Sequence, residues 1–126
     1  MSRYVLDASA VMALLNSETG AGRVEEILSD SVISSVNLAE VLTKSIEAGH
    51  TIETAVSTLA ILELNVVVFD ELQSRKAAEL RPLTSKFGLS LGDRSCLALA
   101  ILNDATAVTA DRIWKSIKLC PIDLIR

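Results

Sequence analysis

Aromatic side chains are nearly missing from this sequence: one Trp, one Tyr and two Phe, 3% of 126 residues. Half of the residues are nonetheless apolar, so the core has to be built from Leu, Ile, Val and Ala. Two prolines and five glycines leave no low-complexity segment, repeat or linker. The two cysteines, Cys96 and Cys120, have no paired spacing. That excludes a disulfide framework, and both read as reduced, buried thiols. The single histidine, His50, follows a helix-ending glycine and reads as a surface residue. No uncharged apolar run reaches the roughly 18 residues of a membrane helix. The opening MSRYVLDASAVMALL is interrupted by Asp7 and followed by no good cleavage region, so it does not read as a secretory leader. A cytoplasmic protein without membrane contact is expected. Positive charge is scarce as well: 12 Lys and Arg against 16 Asp and Glu give a net charge of −4. This counts against a protein that grips nucleic acid by bulk charge.

What is present is an aliphatic surplus, with a mean hydropathy of +0.42. A sheet covered on both faces absorbs part of it, and an apolar dimer interface the rest. A homodimer with twofold symmetry is expected. The helix from Thr51 to Leu62, offering Ile52, Val56, Leu59 and Ile61 or Leu62, is its expected contributor.

Along the chain, short apolar runs alternate with helical patterns. Strands are expected at 4–6, 32–34, 66–69, 107–109 and 119–122. Helices are expected at 8–15, 23–28, 36–48, 51–62, 72–83 and 93–102, with a short helical turn at 111–115. Gly49 stops one helix, Thr51 caps the next, and Asp70 reads as a cap after a buried strand. The pattern predicts one α/β domain over residues 1–126: about five parallel strands with helices on both faces.

In such sheets the ligand crevice lies at the carboxyl ends of the strands. Four acids fall there. Asp7 ends the first strand, Glu40 lies in the second turn of the helix after strand two, Asp93 opens a helix, and Asp111 follows strand four by two residues. Each has an alternative explanation on its own. Asp7 and Asp111 suit N-caps, Asp93 suits the third position of a capping box begun by Ser90, and Glu40 suits a solvated helix face. Together they are harder to explain that way. Glu40 sits in VNLAEVL on a mostly apolar helix, sharing a polar stripe with Asn37 and Lys44. Acids gathered at one edge repel each other unless a cation lies among them, and hard oxygen donors suit Mg²⁺ or Mn²⁺. Such a metal binds a phosphate oxygen and activates water. Without these four acids the chain would have no net formal charge, so a metal would turn the cleft from repelling phosphate to attracting it.

YVLDASAVMALL, SSVNLAEVL, LSLGDRSCLALAI and AVTADRIW, in that order over the whole chain, resemble the PIN-domain nucleases, and within them the VapC-type toxins of bacterial toxin–antitoxin pairs. The resemblance implies a five-stranded parallel sheet, cleavage of single-stranded or structured RNA, Mg²⁺ or Mn²⁺, and an inhibitory antitoxin. It matches Asp7, Glu40, Asp93 and Asp111 to the family's acidic quartet. Asp7 and Asp93 would be the direct metal ligands. Glu40 would complete the shell or hold the attacking water, and Asp111 would act through water or bind a second ion. Ser9 and Thr109 match hydroxyl positions beside the acids, and Asn37 lies one turn before Glu40. These three are expected to support the acids. Arg94, Arg112 and Lys115 are candidate contacts to RNA or antitoxin. Lys118 reads as solvated, and Trp114 as packing. Two other readings are kept: a PIN scaffold that binds a partner without turnover, and a phospho-receiver domain with Asp70 as acceptor. The receiver lacks its acidic pair after strand one and a Lys after a later strand.

Overall fold

A computed structural model describes residues 2–126. Five short parallel strands form one sheet in the order β3-β2-β1-β4-β5. They are β1 (Tyr4–Leu6), β2 (Ser31–Ser34), β3 (Asn65–Val67), β4 (Thr106–Thr109) and β5 (Ile122–Leu124). The helices are α1 (Ala8–Leu15), α2 (Ala21–Ile27), α3 (Ser35–Glu47), α4 (Ile52–Ala60), α5 (Glu71–Glu79), α6 (Arg81–Thr84) and α7 (Leu91–Leu102). Three short 3₁₀ turns, Leu28–Asp30, Ser85–Phe87 and Arg112–Ser116, complete the chain. The α/β fold with a five-stranded parallel sheet is as the pattern predicts.

Register explains the two-sided core. Val5 pairs with Val32 and Ala107, and Leu6 with Ile33 and Val108. Because side chains alternate across a strand, Val5, Val32 and Ala107 face one layer, together with Cys96, Leu97 and Trp114. Leu6, Ile33 and Val108 face the other, with Val11, Val24 and Val41. Val5 and Leu6 are both fully buried, as expected for a central parallel strand. The one tryptophan is also fully buried, so the core is aliphatic around a single large ring.

Several element bounds differ from the sequence pattern, each for a physical reason. The strand expected at 66–69 as buried forms at Asn65–Val67 and is largely exposed, with Val66 43% accessible and Val68, just past its end, 72%. It pairs with β2 alone and is an edge. The Phe69 N–H leaves the ladder and donates to Ser35 Oγ at 3.0 Å. The last strand lies at 122–124, not 119–122. Pro121 has no N–H to give the ladder, and its carbonyl accepts from Ala107 N at 3.0 Å just before the strand begins. The helix expected over 72–83 splits into α5 and α6, with Pro82 in the first turn of the second piece, where its missing donor does no harm. The helix after Thr51 ends at Ala60 and buries Leu59, leaving Ile52, Val56 and Ile61 exposed. No helix among the described residues is long and apolar enough to cross a membrane.

Candidate active site

The strand order reverses between β1 and β4, which opens a crevice at their carboxyl ends. Asp7 lies there. Its extended backbone ends β1, and its side chain caps α1 by accepting from Ala10 N at 2.9 Å. The same oxygen, Oδ1, accepts from Ser9 Oγ at 2.7 Å, and Oδ2 accepts from Thr109 Oγ1 at 2.6 Å. Asp7 is only 4% exposed. Burial pushes its carboxyl up to about 6, with a smaller push from Asp93, against the lowering effect of its three hydrogen bonds. No Lys or Arg compensates it: among the described residues none of the four acids takes part in an ion pair.

Ser9 and Thr109 join β1 to β4 around this carboxylate. Ser9 Oγ accepts from Ala110 N at 2.9 Å, and Thr109 Oγ1 accepts from Asp111 N at 3.0 Å. The hydroxyls that hold Asp7 therefore also fix the backbone leading to Asp111. Asp111 is exposed and caps the 3₁₀ turn Arg112–Ser116 through Ile113 N at 3.1 Å.

Glu40 reaches the first turn of α7 from α3. Asn37 Nδ2, 1% exposed as a residue, donates to Glu40 Oε1 at 2.8 Å and to the Gly92 carbonyl at 3.0 Å. Asn37 thus ties α3 to the first turn of α7. Gly92 leaves room for Glu40, because a Cβ there would overlap the Glu40 carboxyl group. Asp93 follows at once and forms the capping box: Ser90 N donates to Asp93 Oδ2 at 2.9 Å, and Asp93 N to Ser90 Oγ at 3.2 Å. One turn further on, Cys96 is fully buried against the Val5 carbonyl. Its thiol is pushed well above its ordinary value, first by burial, then by Asp7, Cys120, Asp93 and Glu40.

A family model for the PIN domain matches residues 4–118. The chain belongs to the PIN-domain family. Its fold is similar to VapBC2 from Rickettsia felis bound to a promoter DNA fragment, with TM-score 0.73, 24% identity and 98% of each chain covered. DNA-bound VapBC from Salmonella typhimurium gives TM-score 0.73 at 19% identity over 100% of each chain. VapBC-5 from Mycobacterium tuberculosis gives 0.59 at 22% identity over 98% of each. At these identities the likeness is one of fold. No curated protein matches the sequence.

The donors around this PIN crevice fit a hard divalent cation. Asp7 is a buried carboxylate without a counter-charge, and Asn37 Oδ1 is a buried oxygen without a partner beside Glu40. Among the described residues, no three His, Cys, Asp or Glu side chains form a ready metal cluster.

The other candidates divide. Arg112 and Lys115 are exposed on the turn after Asp111. Arg94 turns inward, where Nη1 donates to the Ala77 carbonyl at 2.9 Å and Nε is buried without a partner. It belongs to the α5–α7 interface and is not an open contact. His50 is exposed, and Asp70 caps α5. Sequence reasoning missed Gly92. The signal available was a glycine inside the first turn of a helix, where a close approach is the usual reason to forgo alanine.

Proposed function

We propose that this PIN domain is a Mg²⁺- or Mn²⁺-dependent endoribonuclease that cleaves single-stranded RNA and acts as the toxin of a toxin–antitoxin pair in the cytoplasm. The observation that carries the reading is Asp7, a carboxylate buried at the β1–β4 switch point with three hydrogen-bond donors and no cation to neutralise it. Such a group is unfavourable in a scaffold and useful in a metal site. The likeness to VapBC complexes supports the toxin role.

Asp7 and Asp93 would hold the cation, with Glu40 and Asp111 acting through water. When bound, the metal supplies Lewis-acid polarisation of a phosphate oxygen and a water of lowered pKa. The chain's own residues do the positioning. Ser9 and Thr109 fix both Asp7 oxygens, so the carboxylate does not reorganise as charge builds on the substrate. Asn37 holds Glu40 at the rim, where its second oxygen is free to orient a water on the phosphate. Asp111, the most exposed of the four, would act through water or bind a second ion.

The antitoxin reading rests on the same charge excess. A basic side chain of a partner would enter the cleft and displace metal, while an apolar face beside it takes an amphipathic helix. The exposed Ile52 and Val56 of α4, with Ile61 just past its end, are assigned to the homodimer. Purified protein is to be incubated with short single-stranded RNA in Mg²⁺ and in EDTA, and cleavage is expected in Mg²⁺ alone. The capping box of Ser90 and Asp93 favours a second reading, a partner-binding scaffold without turnover. RNA left intact in Mg²⁺ by properly folded protein would establish that reading instead.

A further inference from the structure

Two adjoining depressions run along β5 and the segment that leads into it. The first, about 480 Å³, is lined by Lys115, Lys118, Leu119, Ile122 and Leu124 among others. The second, about 210 Å³, shares Lys118 and Leu119 with it and adds Lys86 and Phe87. Together the linings contain three lysines and no carboxylate, in a chain where acids outnumber bases 16 to 12. Among the described residues none of the three lysines is in an ion pair. The one acid on β5, Asp123, points to the opposite face, as strand alternation requires, and is held there by Arg23 at 2.8 Å. The Lys86 ammonium lies 5.1 Å from the centre of the Phe87 ring.

None of the four acids lines this groove, but the chain and the sheet connect it to them. Asp111 caps the turn that carries Lys115, and Leu124 is the register partner of Thr109, which holds Asp7. Phe87 lies in the 3₁₀ turn just ahead of Ser90 and Asp93. We propose that the groove formed by Lys86, Phe87, Lys115 and Lys118 is the track for the nucleotides flanking the cleaved bond of a single-stranded RNA. The proposal rests on the nuclease reading above. The lysines neutralise backbone phosphates, and the half-buried Phe87 ring, packed on the core with Lys86 beside it, offers its remaining surface and its aliphatic neighbours to a base, the combination by which single strands are bound without sequence readout. An acidic molecule that has to bind a polyanion needs such a local positive strip, and these depressions supply one free of opposing charge.

The test is binding of a short fluorescein-labelled single-stranded RNA of mixed sequence in EDTA, over a range of salt, with cleavage kinetics in Mg²⁺ alongside. Replacing Lys86, Lys115 and Lys118 together by Ala is expected to weaken binding by roughly tenfold or more and to flatten the slope of log K against log salt by about two units. KM should rise while kcat at saturation stays near the parent value. Phe87→Leu, which keeps the packing and removes the π-face, should weaken binding on the order of fivefold to tenfold without changing the salt slope. Arg75→Ala, exposed on α5, is the control and should change neither. A parent protein that cleaves RNA, with a triple variant of unchanged affinity and salt slope, would overturn the track and leave the nuclease reading standing. So would a triple variant that loses only the binding of a protein partner. A parent that neither binds nor cleaves RNA would remove both.

Discussion

Asp7 and Asp70 have almost the same local structure and different surroundings. Each follows a strand, Asp7 directly and Asp70 after Val68 and Phe69; each has extended backbone (φ −85°, ψ 175° and φ −90°, ψ −176°), and each caps a helix through the N–H three residues on, at 2.9 Å. Asp70 follows the edge strand β3 and is exposed. Asp7 follows the central strand β1 and is buried, with β4 supplying Thr109 and α1 supplying Ser9. A capping aspartate becomes a candidate metal ligand when sheet order brings other elements against it. Strand-then-Asp in the sequence is not enough, because both positions satisfy that pattern.

The sharpest way to break the comparison is to remove the Asp7 charge. Asp7→Asn keeps the cap and the volume, yet RNA cleavage in Mg²⁺ is expected to fall by at least about a thousandfold, the scale on which metal ligands matter. Cleavage rates of the purified variant and parent, each confirmed as folded by circular dichroism, decide it. Full activity in Asp7→Asn would reduce Asp7 to the equal of Asp70.

Stability gives the second contrast. The Asp7 carboxyl is raised from 3.8 to about 6, so between these values the folded state holds the proton more tightly than the unfolded chain. Stability of the metal-free protein from this group is therefore greatest below about pH 4, falls as pH rises to about 6, and stays reduced above it. The shift corresponds to about 3 kcal/mol. In EDTA, urea midpoints of Asp7→Asn should exceed those of the parent at about pH 7 and converge with them near pH 4. In Mg²⁺ the parent should recover, because the cation favours the ionised carboxylate. A parent that gained stability between pH 4 and 6 relative to the variant would contradict the burial argument.

A third, smaller effect is expected at Gly92. Alanine there is a better helix former by up to about 1 kcal/mol, but its Cβ would occupy the space of the Glu40 carboxyl group. Glu40 is a flexible side chain and swings aside at little cost, leaving its hydrogen bond from Asn37. Gly92→Ala is thus expected to keep or slightly raise the thermal midpoint while reducing kcat on the order of tenfold. A loss of stability with unchanged kcat would show that Gly92 serves packing and not the position of Glu40.

These residues also mark how much of the molecule is legible in its sequence. Local signals are readable: Thr51 and Asp70 cap as the sequence predicts, and the Ser90–Asp93 box, the alternative explanation for Asp93, forms. Alternation of short apolar runs with helices is enough for the parallel sheet, since that topology is dictated by crossover connections. The exposure of β3 is not legible, because Val66, Val67 and Val68 look the same in an edge strand as in a central one. Nor is the Gly92–Glu40 approach, or the joining of Lys86 and Phe87 to Lys115 and Lys118. Both depend on distant segments packing side by side, which no local period encodes. Arg94 misleads for the same reason: its neighbour Asp93 turns back to the Ser90 N–H, while its own guanidinium reaches across to Ala77.

The smallest expected effect is at Asp70 itself, and it tests the comparison from the other side. Its carboxylate accepts from Gln73 N at 2.9 Å in a solvent-exposed position, so its contribution is that of an ordinary N-cap. Asp70→Ala should cost about 1 kcal/mol, and Asp70→Asn only a few tenths, because asparagine caps nearly as well. In a chain of this size the alanine variant should melt about 4 °C lower. Cleavage by either variant below its midpoint should match the parent, since the α5 cap follows the edge strand and is hydrogen-bonded only within α5. Thermal scans and cleavage rates of the two Asp70 variants, measured beside Asp7→Asn, separate capping from catalysis. Loss of cleavage in Asp70→Asn, a change that leaves the cap in place, would mean that position in the sheet does not distinguish the two aspartates.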